Sequence, residues 1–142
     1  MTSDNAPGGT RDAPGGTRDA PGGTRLRLIR PAELRTDPAP TPGMTRAHAI
    51  EANGLTSGIV RTAPGMLSGW HHHAGHETSI HVLQGILRME HATGVFDARP
   101  GDFIHVPGGA IHRESNPSEV ESVAVFSRAG TGAVTVNVDG PA

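Results

Sequence analysis

Nine histidines are the chemically unusual feature of this 142-residue chain. All lie between His48 and His112, four of them within His71–His76. They stand in two segments. The first is Gly65-Met-Leu-Ser-Gly-Trp-His71-His72-His73-Ala-Gly-His76-Glu77-Thr-Ser-Ile-His81-Val-Leu-Gln-Gly85. In an extended strand, side chains two apart share a face, so His71 and His73 point together. A turn at Ala74–Gly75 brings Glu77 back toward them on the next strand. The second segment is Gly101-Asp-Phe-Ile-His105-Val-Pro107-Gly-Gly109-Ala-Ile-His112-Arg-Glu-Ser-Asn116. A reversal at Pro107–Gly109 puts His112 at the start of a strand, where it adds a third imidazole from the opposite wall. His71, His73, Glu77 and His112 thus make an expected partial octahedral site for one divalent ion of the Zn, Fe, Mn or Ni type. The chain has no cysteine, so thiolate ligands and disulfides are excluded.

The other residues carry blander readings beside functional ones. His72 has the opposite parity to its neighbours and faces out. His81 packs on the outer sheet face, with proton transfer as its functional alternative. His105 lines the pocket or is structural, and His48 and His91 are exposed. Trp70 is core or interface packing, and Arg113 with Glu114 makes an exposed pair of little weight. No residue is an unambiguous general base; Glu77, His76, His81 and His105 are the candidates.

These residues must be positioned by strands. From Thr45 onward, short runs with β-branched or apolar residues alternate with Gly, Pro and Asn at spacings of about 8–12 residues. The runs are Thr45–Ile50, Thr56–Thr62, Met66–His73, Ser79–Gln84, Ile86–Glu90, Val95–Asp97, Phe103–Val106, Ile111–Ser115, Val120–Ser127 and Ala133–Val138. None has a helical period long enough for a crossover, so the fold is an all-β sandwich or barrel. With one Trp, three Phe and no Tyr, Val, Ile, Leu and Met must fill its core.

Upstream, Ala6-Pro-Gly-Gly-Thr-Arg-Asp12 recurs from Ala13 and, truncated, from Ala20. Residues 1–25 are therefore read as a disordered tail that buries too little to order itself. Residues 26–44 form an N-terminal strand at Leu26–Ile29 and a Pro-rich linker with a helical turn near Ala32–Arg35; residues 45–142 are the folded domain. The formal net charge of −2, with no lysine and no basic patch, argues against a nucleic-acid partner. No apolar run approaches the roughly 18 residues of a membrane span, and no secretory signal is evident, so a cytoplasmic protein is expected.

The two motifs resemble those of the cupin superfamily. Its first motif is Gly, five residues, His-x-His, three or four residues, Glu, six residues, Gly. Gly65, His71, His73, Glu77 and Gly85 match it, except that seven residues separate Glu77 from Gly85. Counting back from Gly85 puts Thr78 at the glutamate position. Either a bulge turns Glu77 inward, or His76 is the fourth ligand. The second motif is Gly, five residues, Pro-x-Gly, two residues, His, three residues, Asn, and Gly101, Pro107, Gly109, His112 and Asn116 match without a gap. The resemblance spans about Thr45 to Val138 and implies a double-stranded β-helix, or jelly-roll barrel.

Within the superfamily the chain is similar to small single-domain cupins of actinobacteria, which include an aromatic polyketide cyclase. The resemblance implies a divalent ion that polarises a carbonyl or enolate of a small, partly apolar molecule, in a cyclase- or isomerase-like reaction. A metal-dependent iron dioxygenase is the alternative, and a non-catalytic ligand- or metal-binding module is the reading of another class. Small cupins often dimerise through N-terminal strands, so a homodimer is expected, with Leu26–Ile29 as the exchanged strand.

Overall fold

The computed structural model describes residues 23–37, 41–132 and 134–141. The repeat through residue 22 lies outside the described residues. Among the described residues a 3₁₀ turn, Pro31–Glu33, comes first, with proline at its start. Eleven strands follow: β1 Arg35–Thr36, β2 Met44–Ala52, β3 Leu55–Thr62, β4 His71–His72, β5 Glu77–Gln84, β6 Leu87–His91, β7 Gly94–Ala98, β8 Phe103–Val106, β9 His112–Ser115, β10 Ser122–Ala129 and β11 Val136–Asn137. Among the described residues no helix is long and apolar enough to cross a membrane.

The strands make two antiparallel sheets, one in the order β1-β2-β3-β10-β5-β8 and the other β11-β4-β9-β6-β7. Period-two alternation sets what each sheet buries. On β5, Thr78, Ile80 and Val82 face in while Glu77, Ser79 and His81 face out; on β10, Ala124, Phe126 and Arg128 face in. The core joins Met44, Val60, Ile80, Val82, Leu87, Met89 and Phe126 with smaller neighbours, so a single aromatic ring stands among aliphatic side chains.

Gly85 closes the first motif with a backbone reason. Its φ is +73°, and a Cβ there would lie 2.7 Å from the Glu121 carbonyl oxygen. Asn116 closes the second. It is fully buried, and its Nδ2 donates to the carbonyls of Thr62 (3.0 Å) and Val120 (2.8 Å) while Oδ1 accepts from Ser118.

Several expectations are corrected. Within the single chain Leu26–Ile29 pairs with no strand among the described residues, and Leu26 and Leu28 are 97% and 71% exposed. The Met66–His73 run reduces to β4 plus a bridge from Leu67 to Ser115, because the chain breaks from the sheet at Gly69. The expected strand at 133–138 shortens to β11. His48 is not exposed; its Nε2–H donates to Asp37 at 2.5 Å, and its ring meets Phe126 edge-on.

Candidate metal centre

Strand pairing brings the histidines together. His71 on β4 and His112 on β9 are direct cross-strand partners, and non-adjacent side chains facing one way then touch. Their ring centroids are 4.4 Å apart. His73, one residue past β4, completes a triangle at 5.0 Å from His71 and 5.2 Å from His112. The turn that follows uses Ala74 at φ +49° and a His76 N–H bond to the His73 carbonyl.

Each of the three rings is held the same way. The Nδ1–H of His71 donates to the Gly69 carbonyl (2.9 Å), that of His73 to Val134 (2.7 Å), and that of His112 to Ala110 (2.8 Å). A carbonyl can only accept, so the proton sits on Nδ1 and the Nε2 lone pair points inward, the arrangement metal-binding imidazoles use. Nε2 of His112 is buried with no hydrogen-bond partner. A buried lone pair without a donor is costly unless something electropositive meets it.

The fourth donor is Glu114, two residues after His112 on the same face of β9. Its Oε1 lies 3.5 Å from His112 Nε2 and 3.8 Å from His71 Nε2. Donor atoms of His71, His73, His112 and Glu114 all lie within 4.8 Å of one another, and all four residues are buried. Three anchored imidazoles and one carboxylate fit a first-row divalent ion.

The electrostatics agree with that role. Burial would raise the Glu114 carboxyl, but His112 and His71 outweigh it and hold it well below the usual carboxylate range. Burial lowers His71, yet Glu114 and the Gly69 carbonyl leave it net raised. Burial and then the charge of Arg128 push His73 down to about 3, so it is neutral at any ordinary pH.

The remaining expected site residues lie elsewhere. Glu77 does not join the cluster. It has outward parity on β5, its side chain is 56% exposed, and it accepts from His105 Nε2 and, at 3.3 Å, from the Gly108 N–H. The ladder shifts register opposite Val123/Ala124, beyond the strictly alternating residues 77–82, so that shift does not turn Glu77 inward. The inward position is held by Thr78, whose hydroxyl accepts from Arg128 at 3.0 Å. His76 is buried but outside the cluster, with Nε2–H donating to the Gly132 carbonyl at 3.3 Å. His81 stacks on Phe103 on the outer face of β5 and β8, with centroids 4.2 Å apart. Thus Glu77, His81 and His105 are grouped on the outside of the barrel, away from the imidazoles. Arg113 pairs with Glu90, not Glu114, and its guanidinium lies over Trp70.

Sequence reasoning places Glu114 in an exposed pair with Arg113 and gives Arg46 and Arg128 no part in the interior, whereas the structure buries Glu114 among the imidazoles. The signal for Glu114 was its parity with His112. Arg46 and Arg128 line the same interior cavity as His73 and Glu114.

Residues 58–127 match the family model of the Cupin domain. No curated protein matches the sequence. Among solved structures, the chain is similar to the polyketide cyclase RemF from Streptomyces resistomycificus, with a TM-score of 0.69 and 17% identity over 80% of this chain and 86% of that one. It is similar to KdgF from a Halomonas species, with a TM-score of 0.65 and 20% identity over 75% and 96%. A sugar phosphate isomerase of the cupin superfamily from Silicibacter pomeroyi superposes with a TM-score of 0.63 and 18% identity over 74% and 76%. At these identities the likeness is one of fold.

Proposed function

From the premise that this chain belongs to the cupin family through residues 58–127, we propose that it is a metal-dependent enzyme of the cyclase or isomerase type, acting on a small, partly apolar carbonyl compound. The observation that carries the proposal is the shared anchoring of three buried imidazoles, whose Nε2 atoms converge on a buried carboxylate. A divalent ion held by His71, His73, His112 and Glu114 supplies Lewis-acid polarisation of a carbonyl oxygen.

The chain's own residues do the rest. Backbone carbonyls of Gly69, Val134 and Ala110 keep each Nδ1 protonated, so no imidazole has to change tautomer to act as a ligand. Val60, Ile80, Leu87 and Val106 wall the cavity and exclude water, which strengthens every charge interaction inside it. The same wall favours an apolar body on the substrate. The RemF cyclase and the sugar phosphate isomerase among the similar folds support carbonyl chemistry as the class to try first.

Turnover tests the reading. Carbonyl and diketone substrates are offered to the purified protein before and after chelation, and again after reloading with Zn, Mn, Ni or Fe(II), with oxygen uptake followed in parallel. Conversion that disappears on chelation, returns on reloading and consumes no oxygen is the expected result. Oxygen uptake that requires Fe(II) would make the protein a dioxygenase. Tight metal and ligand binding without conversion would make it a binding module.

A further inference from the structure

Two arginines sit where a small barrel ordinarily keeps apolar side chains. Arg46 comes from β2 and Arg128 from β10, and both line the cavity that holds His73, Thr78 and Glu114. Arg128 is only 9% exposed. Its Nε–H donates to Thr78 Oγ1 and its guanidinium lies over the Phe126 ring, while the two terminal amino groups have no hydrogen-bond partner among the described residues. Among the described residues neither guanidinium is ion-paired with a carboxylate. Asp37, whose charge reaches Arg128, is bonded to His48. Glu114 is the remaining interior carboxylate, and it faces the imidazoles.

With Asp37 bonded to His48 and Glu114 turned to the imidazoles, neither guanidinium has a carboxylate partner of its own, and a divalent ion at the histidines would add positive charge nearby. Cationic groups lining one largely apolar cavity are costly without paired anions or hydrogen bonds, and a bound anion supplies both. Thr78 holds the inward position on β5 beside the outward Glu77, and its hydroxyl orients Arg128.

We propose that Arg46 and Arg128 form a subsite for a carboxylate of the substrate, which makes the substrate an oxo acid or carboxylated diketone and not a neutral ketone. The planar fork of Arg128 suits two parallel bonds to a carboxylate. The inference rests on the metal-site reading for where the carbonyl end lies, while the arginine subsite itself stands on the two guanidinia.

The test uses a matched pair of probes: acetylacetone, and acetopyruvate, in which a carboxylate replaces one methyl group. Both are titrated calorimetrically into the zinc-loaded full chain as wild type, Arg46→Gln and Arg128→Gln, with zinc per chain measured in each. Acetopyruvate is expected to bind at least about tenfold more tightly than acetylacetone to the wild type. Either substitution is expected to abolish that preference while zinc content and acetylacetone affinity stay unchanged. Equal affinity for the two probes, a preference that survives both substitutions, or binding of inorganic phosphate in place of acetopyruvate overturns the proposal.

A metal-free arm separates this failure from that of the metal site. Without zinc, acetopyruvate is still expected to raise the unfolding temperature of the wild type but of neither variant. If the wild type takes up no zinc, the metal reading falls, and this arm decides the arginine subsite alone: protection confined to the wild type upholds it, and no protection overturns it. Arg46 is only half-buried, so its replacement reports even if the Arg128 variant folds poorly.

Discussion

Replacing Glu114 by Gln separates the geometry from the motif-based reading more sharply than any other single change. The substitution keeps volume and one carbonyl oxygen but removes the only carboxylate among the clustered donors. Two unit charges about 4 Å apart attract by about 4 kcal/mol at an effective dielectric of 20. The Glu114 oxygen stands 3.5 and 3.8 Å from the two nearest Nε2 atoms, so a cation between them lies within that range. An amide oxygen recovers part of the attraction, which leaves a loss of about 2–4 kcal/mol, or roughly 30- to 1,000-fold in metal affinity. Competition against a chromophoric chelator measures this directly. Glu77→Gln, on the exposed outer face, is expected to change affinity by no more than about twofold. A second readout follows from the same carboxylate. Because Glu114 helps hold His71 raised, the metal-free Glu114→Gln variant should show His71 titrating at lower pH by NMR. Unchanged metal affinity in Glu114→Gln, or an equal loss in Glu77→Gln, would refute the assignment of the fourth ligand.

Two further outcomes concern stability. Asn116→Ala removes a buried side chain that ties the second motif to Thr62, Val120 and Ser118, leaving partners unsatisfied; chemical denaturation should register a loss of about 3 kcal/mol. In the metal-free protein His73 is depressed from 6.5 to about 3, so the unfolded chain takes the proton first. Its contribution, up to roughly 4–5 kcal/mol, is present above pH 6.5 and lost as pH falls toward 3. Glu114, also depressed, adds loss of the same sign below 4.5, whereas raised His71 acts oppositely and favours the folded state below pH 6.5. Denaturation curves from pH 7 to 3.5 should therefore fall less steeply for His73→Gln than for the wild type; parallel curves would contradict the burial of that ring.

The barrel was legible because alternation is a local property. Thr78-Ser-Ile-His-Val82 and Ala124-Val-Phe-Ser-Arg128 each write their inner and outer faces into successive residues. His71 and His73 followed from the same rule, and His112 from the turn before it. Motif spacing favours Glu77 as the fourth donor, whereas parity places Glu114 with the imidazoles. Thr78, not Glu77, shares the face of Ile80 and Val82, while Glu114 shares the face of His112. The arginines were hidden for a different reason. Alternation puts Arg128 on the inner face of β10, but a strand-end arginine reads by residue type as solvent-facing, and only its place between β3 and β5 shows that it is buried. Leu26–Ile29 has strand-like composition but pairs with no strand among the described residues, and composition does not encode a partner.

Metal stoichiometry tests the central claim most directly. Elemental analysis of the full chain, after equilibration with divalent metal and removal of excess, is expected to find one ion per wild-type chain. In His73→Ala, His112→Ala and Glu114→Ala the ion should be absent or weakly held, with the β-sheet circular dichroism spectrum retained. A folded wild type that retains no divalent ion, or folded variants that retain it in full, would contradict the account.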